Sequence, residues 1–232
     1  MLGRNRPSGR ALRLRSRAEA EATPKVGFEE LAPEAGVFLG QVAYLQLGYF
    51  ETLSELIAAT PDFLRKEAIS RAAGAALLKH RELVLLIRER GEDPTLAMLP
   101  FREPLDAFRV ATRGVRPPET MLSVHITAGL LDDFSLALSE GYGETGRRVA
   151  RILGADTDRE ALIGILSETI AADEEWASLL ALWGRRLVGD TLLVARSALR
   201  DSAPAAVECV EPVFTQLMAA HAERMAGLGL AP

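Results

Sequence analysis

From about Val37 to Ala59 an apolar residue returns every three or four positions: Leu39, Val42, Gln46, Tyr49, Leu53 and Leu56 follow spacings of 3, 4, 3, 4 and 3. That period belongs to a helix, so the stretch predicts a first helix with one amide, Gln46, on its core seam. Thr60-Pro61-Asp62 then reads as a helix start, with Thr60 at the N-cap and Pro61 at N1. The pattern that follows runs unbroken to Gly91, a residue suited to a C-terminal stop. Its seam, Ile69, Ala73, Ala76, His80, Leu83 and Ile87, turns His80 inward beside two small residues.

A connection spanning Pro94, Pro100 and Pro104 leads to a short predicted helix over Leu105 to Thr112. Pro117-Pro118 opens a third long helix that ends near Gly141. Gly143 and Gly146 interrupt it, a short segment reaches Gly154, and Asp156-Thr157-Asp158 caps a fourth helix to about Ala172. A fifth carries Trp176 and Trp183 to about Ala198, and a last one runs from Pro204 to Gly227. No segment reads as a strand. Short connections between long amphipathic helices make antiparallel neighbours, so the expected fold is all-α: an up-down four-helix bundle with additional C-terminal helices.

Within the third helix Asp132 and Asp133 sit among Leu130, Leu131 and Phe134. Adjacent positions cannot both face inward, and Asp133 is the expected core acid. The fifth and last helices place Asp190 and His221 on apolar faces. Gln46, His80 and Asp133 on facing helices are the candidates for a metal or substrate site, because bundles build sites from inward-projecting side chains. A single seam residue of this kind more often satisfies itself by hydrogen bonding within the core.

At 232 residues with 48% hydrophobic and 25% charged positions, the chain has apolar surface enough for one domain and excludes wholesale disorder. The net charge of −5 is unevenly spread, since residues 1–17 hold six Arg and no acid. With those set aside, 21 basic residues face 32 acids, and the acidic body should repel a phosphate backbone. Residues 1–34 are therefore expected to form a disordered Arg-rich extension, and 35–232 the folded domain. As a tether to RNA or an anionic membrane the extension would bind in a salt-sensitive way. No run reaches the ~18 apolar residues of a transmembrane helix, and the lone Cys209 suits a reducing compartment, so a cytoplasmic location is expected.

Other chemistries leave weaker marks. Gly141-x-Gly143-x-x-Gly146 has the letters of a dinucleotide fingerprint but follows a helix and lacks a βαβ context. Arg147, Arg148 and Arg151 with Arg185-Arg186 would make a patch for RNA, without an aromatic stacking platform. Cys209 lies among acids, which disfavour a thiolate.

Three stretches carry a family likeness: Gln41-Val-Ala-Tyr-Leu-Gln-Leu-Gly-Tyr-Phe-Glu51, Leu180-Ala-Leu-Trp-Gly-Arg-Arg-Leu-Val-Gly-Asp190 and the segment from His221 to Pro232. Over roughly residues 35–232 the chain resembles the actinobacterial ferritin-like proteins grouped with the tRNA methylthio-isopentenyladenosine hydroxylases, the MiaE-like group. The resemblance implies a ferritin-like four-helix bundle and, for active members, a di-iron carboxylate centre that activates oxygen. Such a centre takes a Glu from each of two helices and Glu-x-x-His from each of the other two. The three histidines, His80, His125 and His221, are preceded at that spacing by Leu77, Leu122 and Met218, so no Glu-x-x-His exists. Gln46 stands for the first-helix Glu, Leu77-x-x-His80 for the second-helix motif and Asp133 for the third-helix ligand, while the fourth helix has no histidine. The expectation is a degenerate, vestigial site, no cofactor, and a role in interaction with an unknown protein partner or in self-association. The alternative is a hydroxylase with iron at Gln46, His80 and Asp133, acting on a modified tRNA nucleoside or a small apolar substrate.

Overall fold

The computed structural model describes residues 31–155, 158–199 and 206–232, with the side chains of 206–209 excepted. Residues 1–30 of the Arg-rich extension, Asp156-Thr157, Pro204 and the Cys209 side chain lie outside those residues, while Leu31 and Ala32 at the end of the extension are buried. The described elements are helical, and no strand occurs among them: α1 (Ala35–Ala59), α2 (Phe63–Glu89), α3 (Pro94–Met98), α4 (Arg102–Thr112), α5 (Pro117–Ser139), α6 (Gly143–Leu153), α7 (Arg159–Ala172), α8 (Glu174–Ser197) and α9 (Ala206–Gly227).

The helix ends follow local chemistry. Asp62, not Thr60, caps α2, its carboxylate accepting from the Arg65 N–H at 2.8 Å. Thr60 closes α1 instead, donating its hydroxyl to the Leu56 carbonyl at 2.7 Å. Beyond α2, Gly91 adopts φ 78°, its N–H reaching Arg88 O and that of Glu92 reaching Ile87 O. That pair of bonds is a Schellman ending, and its left-handed residue is the reason for glycine here. Asp93 caps α3 through Thr95 N and Leu96 N, so the proline-containing connection is itself largely helical and α4 begins at Arg102, ahead of the predicted Leu105. The three-glycine motif falls on the 3₁₀ turn Glu140–Tyr142 and the start of α6, between two helices.

Helices α1 and α2 form a hairpin with an extensive shared face, α5 packs on α1, and α7 packs against α2 and α5. Helices α8 and α9 cover α5 from a further side. Enclosed in this way, α5 is buried along nearly its whole circumference, and Leu122, Ile126, Leu130 and Leu138 are almost completely inaccessible. An apolar helix without a polar face is what such a central position requires. The stretch Pro117–Leu153 contains an apolar window of membrane-spanning length, but 83% of that window is buried inside the bundle.

Candidate functional site

At the bundle centre four polar side chains from four helices converge. Gln46 of α1, 3% exposed, donates its Nε2 to Asp132 Oδ1 at 2.8 Å. Arg159, at the first position of α7, pairs with Oδ2 of the same carboxylate. Lys79 of α2, also 3% exposed, donates Nζ to the carbonyl of Leu153 at 2.5 Å, at the C-terminal end of α6 where the helix dipole favours a cation. Its charge and that of Arg159 both act on Asp132. Burial nevertheless raises the Asp132 carboxyl above its ordinary pKa, against the lowering by Arg159, Lys79 and Gln46. A small cavity lies beside this group, lined by Gln46, Tyr49, Lys79 and Arg159 among aliphatic neighbours.

The core acid is therefore Asp132, which corrects the expectation of Asp133. Neighbouring positions differ by about 100° around a helix, and with α5 enclosed on several sides the surrounding leucines do not single out one inward direction. Asp133 is 37% exposed at its side chain and pairs with Arg224 of α9 at 2.6 Å. His80 departs from expectation too. The seam of α2 runs through Lys79, while His80 is half-buried at its edge, with Nδ1 2.9 Å from the carbonyl of Ala43. A carbonyl only accepts, so the ring donates there. Of Gln46, His80 and Asp133, each is engaged with a different partner. Lys79 and Arg159 were missed by the sequence reading. Buried Ala72 and Ala76 stand seven and three positions before Lys79, the spacing that marked it.

A second polar group lies where α9 meets α5. His125 Nδ1, both ring nitrogens of His221 and Nη1 of Arg224 are buried without hydrogen-bond partners. Arg224 packs over Gly129, where any Cβ would collide with the guanidinium. Burial, followed by the charges of Arg159 and Arg224, lowers His125 from 6.5 to about 4, and burial with Arg224 lowers His221. Both rings are neutral near pH 7. On the surface, Arg147 and Arg148 of the basic stretch pair with Glu144 and Glu89.

The family model for a ferritin-like domain of actinomycetes matches residues 34–207. The chain belongs to this actinomycete ferritin-like domain family. The match takes in α1 to α8 and stops at the start of α9, so His221 and Arg224 lie beyond it. No characterised protein matches the chain closely enough to lend it an activity.

Membership in a ferritin-like family raises the question of iron, and the residues at the centre of this ferritin-like bundle do not fit it. A pair of hard cations needs several bridging carboxylates. Asp132 is the one carboxylate in the central group, it is already paired with Arg159, and Lys79 adds a second positive charge. Among the described residues no three His, Cys, Asp or Glu side chains are grouped as a metal site would require.

Proposed function

We propose that the chain is a ferritin-like protein whose di-iron site is degenerate and which acts by binding rather than by oxygen chemistry. The observation carrying this reading is the exchange of charge at the bundle centre. Lys79 and Arg159 approach the region with positive groups, and Gln46 offers an amide hydrogen to Asp132. A cation entering there would have to displace Arg159 from the carboxylate and remain near the buried ammonium of Lys79, both of them electrostatically unfavourable in a weakly screened interior.

The likeness to the MiaE-like hydroxylases supports common architecture. As an enzyme of that kind the chain would need iron at Gln46, His80 and Asp133, and the separate engagements of those residues with Asp132, Ala43 and Arg224 speak against it. The test is anaerobic loading of the full chain with Fe(II), desalting, elemental analysis and oxygen-electrode measurement. Background iron and no oxygen uptake are expected. Two irons per chain with oxygen consumption would overturn the reading.

A further inference from the structure

The turn from α1 into α2, the start of α5 and the second half of α7 meet at one end of the bundle around a cavity of about 240 Å³. A dry cavity of about 150 Å³ is enough to hold a benzene ring, so this one has room for an aromatic side chain. Its apolar lining includes Ala59, Pro61, Pro117, Pro118, Met121 and Ile165. Three of these are prolines, which have no N–H to offer. The side-chain polar groups of the wall are already engaged. Thr60 donates to the Leu56 carbonyl at 2.7 Å and Thr169 to that of Ile165 at 2.8 Å, the Asp62 carboxylate accepts from the Arg65 N–H at 2.8 Å, and the Arg65 guanidinium donates to Glu168 at 3.2 Å. Such a wall suits an uncharged apolar group that asks for no hydrogen bond.

The same end carries the most exposed large apolar side chains among the described residues: Val115 is 96% exposed, Phe63 84% and Leu64 79%. Phe63 and Leu64 lie in sequence between Asp62 and Arg65, both of them in the wall of the cavity, and Val115 stands two positions before Pro117. Scattered exposed apolar residues are ordinary, but three of them gathered beside an apolar cavity mark a contact surface. Its charges are balanced, Asp62 and Glu168 against Arg65 and Lys66, so it holds no special attraction for nucleic acid or anionic lipid. Knob, hole, acids and bases thus share one patch. An interface about a two-fold axis needs that self-complementarity, because a residue of each copy that meets a second residue of the other is met by it in return.

We propose that this end of the bundle is the interface with a second copy of the chain, the Phe63 ring of each copy entering the cavity of the other. The two rings are then the buried anchors, the prolines give them a rigid surround, and Arg65 and Lys66 of each copy have the acids of the other to pair with. The dimer supplies a partner for the binding role proposed above and rests on that reading in this sense alone. Its test reads mass and not iron, so its failure leaves the iron test of that role untouched.

The experiment is sedimentation velocity of the full chain from about 2 to about 200 μM at physiological salt, the range in which a modest interface assembles. The mass is expected to rise with concentration from 25.1 kDa towards twice that value. Phe63→Asp removes the knob, and an acid in the first turn of α2 favours the helix, so its urea midpoint should hold while dimerisation weakens at least about tenfold. Ala59→Trp narrows the cavity from the exposed end of α1 and should weaken dimerisation to a similar degree with the fold retained. A monomer throughout the range, the outcome if residues 1–30 or a different protein cover this end, would overturn the proposal. So would a dimer that either substitution leaves intact.

Discussion

Lowering the pH from 7.5 to 5 is expected to weaken the fold through His125. This ring is 5% exposed, its Nδ1 has no partner, and burial holds its pKa at about 4 against 6.5 for the free side chain. Between those values the unfolded chain takes up a proton that the native state refuses. The contribution of the neutral buried ring is therefore complete above pH 6.5 and drains away as pH falls towards 4. The gap between the two values corresponds to about 3 kcal/mol, of which linkage places about 2 kcal/mol between pH 7.5 and pH 5. His221, lowered by burial, acts in the same direction, whereas Asp132, raised by burial, takes up its proton earlier in the native state and acts in the opposite one. A comparison with His125→Leu cancels these shared groups. Urea unfolding followed by far-ultraviolet circular dichroism at both pH values should show the native chain losing about 2 kcal/mol more than the variant. Parallel losses, within about 0.5 kcal/mol, would refute the assignment of a neutral, proton-refusing His125.

The two neighbouring acids should differ in cost. Asp132→Ala strands Gln46 and Arg159 in the core and is expected to cost about 3–5 kcal/mol, against about 1–2 kcal/mol for the half-exposed Asp133→Ala; chemical denaturation ranks them, and the reverse order would place the wrong acid inside. Lys79→Met removes the bond to Leu153 and should speed amide exchange at the end of α6 while leaving α1 unaffected, readable by hydrogen–deuterium exchange mass spectrometry. Gly129→Ala pushes a methyl into Arg224 and should cost about 1–3 kcal/mol; combined with Arg224→Ala the two losses should add to less than their sum, and strict additivity would deny the contact.

The positions of the long helices were readable because their signals are local. Gly91 ends α2 by its backbone freedom, Pro117 sits at N1 of α5, and Asp173 caps α8 through the N–H of Glu175. Gln46 was readable for a similar reason, since from Gln46 onward the buried positions of α1, Gln46, Tyr49, Leu53 and Leu56, follow a single stripe. The central acid was not, because choosing between Asp132 and Asp133 requires knowing which neighbours surround α5, and that is a tertiary fact. Lys79 and His80 pose the same difficulty at adjacent positions of α2. An imidazole looks the more natural core residue, yet the ammonium is the buried one because the end of α6 supplies a carbonyl from 74 residues away. Arg159 is harder still, since nothing in its own segment distinguishes a core-directed first residue of a helix from a solvated one.

The enclosure of α5 has a consequence for how the chain is made. Residues 117–139 leave the ribosome while α8 and α9, encoded from residue 174 onward, are still unsynthesised. Until then a helix apolar enough to pass for a membrane segment is sheltered by α1, α6 and α7, and the face that α8 and α9 cover is available to chaperones or to other nascent chains. The closing turn after α9, where Leu230 and Met225 are both buried and joined by a backbone bond, seals that surface. Cutting the chain short of α9 should thus harm solubility more than its distance from the central polar group suggests, and yield during synthesis becomes as sensitive to the C-terminal helix as to the core it covers.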